Sequence, residues 1–170
     1  MLSYSHLIRA NENSVTVEEP KLRAAIVLGI IRFSRWPDEK SINQTFEICV
    51  AGNPLSENTL INLSQKKKIK KLPIVVRSID DLSTEILKCK VLVVGPELPP
   101  FIINIPVDTE PYQGVLTICD DCGEYKDKLM INLVRIQKRI GFEVNLDLAL
   151  KNGMKLKSAL LELAIGVKQN

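Results

Sequence analysis

The residues best equipped for chemistry are Cys119 and Cys122, in the stretch "TICDDCGEYKD", with Asp120 and Asp121 between them. A cysteine pair this close serves as half of a zinc site, as a redox dithiol or as a covalent staple, and each use belongs to a different compartment. A structural zinc site normally brings two close pairs of ligands. Here Cys49 and Cys89 are far apart in the chain, and the single histidine, His6, sits in a polar N-terminal arm. A thioredoxin-like dithiol works through a depressed thiol pKa, whereas two enclosed carboxylates oppose the thiolate. Metal binding and thiol redox catalysis are therefore both disfavoured. The even count of four cysteines permits full pairing in three ways.

Other catalytic constellations lack parts. A Ser-His-Asp arrangement would have to recruit His6. The segment "VAGNPLSENTL" has a single glycine where a dinucleotide fingerprint needs G-x-G-x-x-G, although its turn at Gly52–Pro54 can still offer backbone N–H groups to an anion. No pair of carboxylates of the glycosidase kind is visible. The expectation is no enzyme, no catalytic residue, no cofactor and no metal. The run "QKKKIKKL" gathers Lys66, Lys67, Lys68, Lys70 and Lys71, which attract phosphate or an anionic membrane surface if they are more than a solvated loop. No aromatic residue interleaves them, and a net charge of +3 is too small for a nucleic-acid partner.

The elements that must position these residues follow from periodicity. In "PKLRAAIVLGIIRFSRWP", Leu22, Ala25, Ile26, Gly29, Ile30 and Phe33 recur on one helical face, with Pro20 suited to the first turn and Pro37 ending the helix beside Trp36. Strands are expected at 45–52, 72–79, 89–95 and 114–119, the last two as continuous apolar runs of the kind buried on both faces. "NPLSENTLINLS" and "DDLSTEIL" read as helices between them. "LMINLVRIQ" and "RIGFEVNL" read as a hairpin turning near Lys138, Arg139 and Gly141. "DLALKNG" and "LKSALLELAIGV" read as closing helices, with Gly153 at a C-cap or kink. "LPPFIINIPVDTEP" reads as a packed loop.

Strands alternating with helices give an α/β fold. The expectation is a single domain over residues 16–170 after a polar arm at 1–15. Its sheet should be mostly parallel with an antiparallel C-terminal hairpin, and helices should pack on both faces. A chain of 170 residues is long enough for one sizeable core. No apolar run reaches the ~20 residues that cross a bilayer. The N-terminus shows no signal-peptide core, so the chain is either cytoplasmic or an exported one that lacks its signal.

Three segments, in order, carry a family resemblance: "RAAIVLGIIRFSRWP"; "FEICVAG" followed by "CKVLVVG"; and "MINLVRIQKRIGFEVNLDLALKNGMKLKSALLELA". Together, over about residues 20 to 165, they resemble the YfiR family of periplasmic regulators. Where that family often has Gly-Gly before Met-Ile-Asn, this chain has Lys128 and Leu129, so a less permissive turn is expected there. The resemblance implies a periplasmic, often dimeric α/β protein with no enzyme activity. It implies as partner the periplasmic domain of a membrane-bound diguanylate cyclase or similar sensor, whose repression lowers cyclic di-GMP and biofilm growth. It also implies two disulfides.

With that pattern, Cys49 in one strand pairs with Cys89 at the start of its expected neighbour. Closing about forty residues is worth roughly 4 kcal/mol in the chain-entropy model. Cys119–Cys122 then closes a short loop worth roughly 2 kcal/mol, as a local staple or as a reducible regulatory pair. Arg32, Phe33, Arg35 and Trp36 form the candidate partner patch, because Trp and Arg dominate interface hot spots. The competing reading makes Phe33 and Trp36 core residues, and Asn132 and Asn145 structural hydrogen-bonders. Two other functions stay open: a small-ligand or nucleotide-sensing α/β domain using the Gly52–Pro54 turn or the basic run, and a thiol oxidoreductase.

Overall fold

A computed structural model describes residues 14–38, 44–80, 85–97 and 113–169. The N-terminal arm with His6, residues 81–84 of the "DDLSTEIL" helix and the whole of the "LPPFIINIPVDTEP" loop lie outside the described residues.

The chain runs α1 (Ser14–Arg32), β1 (Ser34–Arg35), β2 (Phe46–Ala51), α2 (Glu57–Ser64), β3 (Lys68–Ile69), β4 (Leu72–Ser78), β5 (Val91–Val94), β6 (Leu116–Asp120), β7 (Ile131–Ile136) and β8 (Arg139–Asn145). It closes with α3 (Leu146–Lys151), β9 (Lys155–Leu156), α4 (Ser158–Leu163) and β10 (Gly166–Lys168). Eight strands form one sheet in the order β10-β8-β7-β6-β5-β2-β4-β3. The five central strands, β4 to β7, pair in parallel. The β7–β8 hairpin is antiparallel with Gln137 and Lys138 at its turn. β1 and β9 make a separate two-stranded ribbon.

Strand alternation sorts the core into two clusters. Phe46, Ile48 and Val50 of β2, Val91 and Val93 of β5, and Leu116 and Ile118 of β6 face the α-helices and pack with Val27, Ile30 and Ile31 of α1 and Leu60 of α2. The intervening residues, Cys49, Leu92, Val94 and Cys119, face the other side with Ile79, Ile86 and Leu129. Helical elements thus lie on both faces. The α-helices cover one, and two short 3-10 helices, Ile86–Lys88 and Gly123–Lys128, contribute to the other.

Several details differ from the sequence expectation. Helix α1 starts at Ser14, so Pro20 lies inside it rather than in its first turn. It stops at Arg32, one turn before Pro37, because Ser34 and Arg35 leave the helix to pair with β9. The Ser34 hydroxyl donates to the Ile30 carbonyl at 2.8 Å and helps satisfy that end. The buried residues of α1 are Arg23, Ala24, Val27, Leu28, Ile30 and Ile31; of the expected face Ile30 is buried, while Leu22 is 44% exposed. The helix is apolar on nearly every side between Leu22 and Ile31, so periodicity alone does not choose the face.

The segment 166–168, expected as helix, is instead the edge strand β10, parallel to β8. The basic run is a β-hairpin in which Ile69 is buried and Lys70 and Lys71 turn with positive φ of 51° and 70°. Gly153 does act at a C-cap, with φ of 77°. Its N–H donates to Leu150 O at 3.0 Å and that of Met154 to Ala149 O at 2.9 Å, the two bonds of a Schellman motif.

Candidate functional site

All four cysteines are oxidised, as Cys49–Cys89 and Cys119–Cys122. β2 and β5 are parallel neighbours, so Cys49 and Cys89 stand 5.7 Å apart between Cα atoms, within the span a disulfide requires. Cys89 does not open β5. It caps the 3-10 helix Ile86–Lys88, two residues before that strand. The second bridge links the end of β6 to the N-cap of the Gly123–Lys128 turn, with Cα atoms 5.3 Å apart. Asp121 makes the turn with a φ of 71°, a region that Asp tolerates better than most residues. Both cysteines of this pair are at least 97% buried, so the bridge is part of a packed strand end and not of an exposed loop.

The carboxylate enclosed by this pair points away from it. Asp120 is the last residue of β6, and alternation turns its side chain to the helical face, where it is fully buried. One of its oxygens accepts from Arg23 Nη1 of α1 at 2.7 Å. The other accepts from the backbone N–H of Ser56, the N-cap residue of α2, at 2.9 Å. Arg23 is 4% exposed and also bonds Glu19, one turn earlier on α1, at 2.9 Å. Glu19 in turn pairs with Arg135 of β7 at 2.7 Å.

Burial by itself lowers the Arg23 pKa, but the Asp120 and Glu19 carboxylates outweigh it and hold the guanidinium above its ordinary value. The network thus ties the disulfide-closed strand end to both long helices. Asp120 contributes a structural ion pair here, in place of the modulation of thiol chemistry read from its position in the sequence.

In open α/β sheets, ligands bind at the carboxyl ends of strands where the strand order reverses. That point lies between β2 and β5, and the chain itself fills it. The Gly95 N–H donates to Ala51 O at 2.8 Å and the Glu97 N–H to Gly52 O at 2.9 Å. A Cβ at Gly95 would collide with the backbone of Gly52, Asn53 and Pro54. The Ser56 N–H at the start of α2 already binds the Asp120 carboxylate. That N–H at the start of α2 is therefore engaged within the fold and not offered to an external anion.

Trp36 belongs to the core. It is 4% exposed, donates from Nε1 to Lys90 O at 2.9 Å and meets Phe46 edge-on at 5.2 Å between ring centroids. Phe33 is half-buried with Lys157 Nζ 5.7 Å from its ring centroid, and Arg32 and Arg35 are exposed. The proposed patch thus reduces at the surface to Arg32, Phe33 and Arg35. Asn132 donates to Glu143 across the β7–β8 pair at 3.1 Å, and Asn145 caps α3 by accepting from Leu148 N at 3.1 Å. Both are structural. Leu129 is extended and 5% exposed, so no glycine-like conformation is required there. Among the described residues, no three His, Cys, Asp or Glu side chains converge as a metal site.

The family model described as YfiR/HmsC-like matches residues 20–165. The chain belongs to the YfiR/HmsC-like family. The match runs from α1 to the residue before β10 and takes in both disulfides and the Arg23–Asp120 pair. Comparison with curated proteins finds no match.

The site residue that sequence reasoning missed is Arg23. A single arginine amid "LRAAIVLGII" was a signal, since a charge in an apolar helix face is retained only with a partner.

Proposed function

We propose that this YfiR/HmsC-like protein is a non-enzymatic periplasmic regulator. It binds the periplasmic part of a membrane signalling protein and represses a diguanylate cyclase, lowering cyclic di-GMP and limiting biofilm growth. The observation that carries the reading is the family match over residues 20–165. Two disulfides in one small domain support it, because such bonds persist in oxidising compartments such as the periplasm. No described helix is long and apolar enough to cross a membrane.

Repression of this kind needs no chemistry from the regulator. It has to bind the inactive conformation of its partner more tightly than the active one, by a free energy that sets the extent of repression. Arg32, Phe33 and Arg35 form the contact surface, with the buried Trp36 holding the segment after α1 that presents them. We place the protein in a homodimer, as the family resemblance implies.

The test is to coexpress the exported protein with a membrane-bound diguanylate cyclase that has a periplasmic domain, and to measure cyclic di-GMP and complex formation. Repression by the wild type and its loss with Arg32→Glu/Arg35→Glu is the expected result. Full repression by the double variant removes this surface, and absence of any complex removes the regulator reading.

A further inference from the structure

The charges of this chain are segregated. Residues 20–37 and 58–79 carry ten of its 23 basic residues and none of its 20 acidic ones. Those two segments supply most of α1 and α2 and the β3–β4 hairpin, which adjoin in the fold. Between the two helices runs a groove of about 470 Å³. It is lined by Lys21 and Arg32 from α1 and Lys66 and Lys67 from the turn after α2, with Leu28 and Leu63 between them. No acidic residue lines it. The four rim cations are exposed, and none makes an ion pair among the described residues.

We propose that this α1–α2 face docks on the anionic surface of a phospholipid bilayer. Lys21 and Arg32 are eleven residues apart on one helix, about 16 Å at 1.5 Å per residue. That spread is too wide for one phosphate and suits a continuous layer of headgroups. Three of the four rim cations are lysines, which act as hydrated point charges, and only one is an arginine, whose planar fork suits a fixed carboxylate. This composition favours a diffuse anionic surface over an acidic protein segment. Leu22 and Ile61, 44% and 38% exposed on the same helices, provide apolar area for shallow contact at the headgroup boundary. Docking would confine the protein to the plane in which a membrane-anchored partner diffuses.

The experiment uses the whole oxidised chain in a vesicle sedimentation assay, with no partner present. Its outcome is therefore independent of the regulator reading. Vesicles are phosphatidylcholine alone, or phosphatidylcholine with about one third phosphatidylglycerol. Binding is expected only to the anionic vesicles, and it should vanish at about 1 M salt, where the Debye length falls to about 3 Å. Each lysine near such a surface contributes about fivefold to affinity, so Lys21→Gln/Lys66→Gln/Lys67→Gln should lose about a hundredfold. Lys126→Gln/Lys151→Gln/Lys168→Gln removes the same charge elsewhere and should retain binding.

Trp36 fluorescence melts confirm that both variants are folded. Equal binding to both vesicle types overturns the proposal, as does equal loss in the two variants. Release by millimolar inorganic phosphate would assign a discrete anion pocket instead. Capture of an acidic peptide without vesicle binding would assign a protein partner. Either result also overturns the bilayer.

Discussion

Replacing Asp120 with alanine removes both hydrogen bonds of a fully buried carboxylate, to Arg23 at 2.7 Å and to the Ser56 N–H at 2.9 Å. It leaves a guanidinium, 4% exposed, with Glu19 as its one carboxylate partner among the described residues, and leaves a buried N–H without its acceptor. Breaking a buried pair from one side typically costs about 3–5 kcal/mol, because the surviving charge stays desolvated. For a domain of this size that lowers Tm by about 10 °C. Arg23→Met strands the Asp120 carboxylate and should cost a similar amount. The combination Arg23→Met/Asp120→Ala removes both charges together. It should cost well below the sum of the single changes, with a coupling of about 2 kcal/mol or more. The assay is urea unfolding without reductant, followed by the fluorescence of Trp36, the only tryptophan and a buried one. Additive effects, or a loss below about 1 kcal/mol for Asp120→Ala, would refute the claim that this pair holds the disulfide-closed strand end against both helices.

Three further expectations are tested on the same instrument. Cys49→Ser/Cys89→Ser opens a sequence separation of 40 residues and should cost about 4 kcal/mol, against about 2 kcal/mol for Cys119→Ser/Cys122→Ser; the reverse order would contradict the loop-closure account. Gly95→Ala drives a Cβ into the backbone of Gly52 to Pro54 and should cost about 3 kcal/mol, so an unshifted midpoint would mean that the β2–β5 crevice is more open than described. Asn152→Ala removes the buried amide oxygen that accepts the Gly114 N–H at 2.6 Å and leaves that N–H only the Asn152 backbone carbonyl at 3.2 Å, so it should cost about 1 kcal/mol; a loss under a few tenths would show that the backbone carbonyl alone satisfies the N–H.

Strands were the most legible part of the fold. "FEICVA", "LPIVVRS" and "VLVV" all appear as strands within two residues of their expected bounds, because a continuous apolar or alternating run is a local signal. The closing segment "AIGV" misled for the opposite reason. It follows a helical stretch without a break in composition, and only the open edge of β8 draws residues 166–168 into the sheet. The basic run misled similarly. Its lysines describe a solvated loop, while the burial of Ile69 against the core makes it a hairpin.

The sequence by itself determined the alternation that sends Cys49 and Cys119 to one face and Asp120 to the other. It also determined the absence of a dinucleotide fingerprint and the membership of a family. These depend on residue order and on a period of two. Only the tertiary structure decided which side of α1 is buried, that Arg23 rather than Leu22 lies on it, and that Trp36 is packed in the core. The physical reason is distance along the chain. Arg23 and Asp120 are 97 residues apart, and a buried charge has no preferred face until its counter-charge is folded beside it.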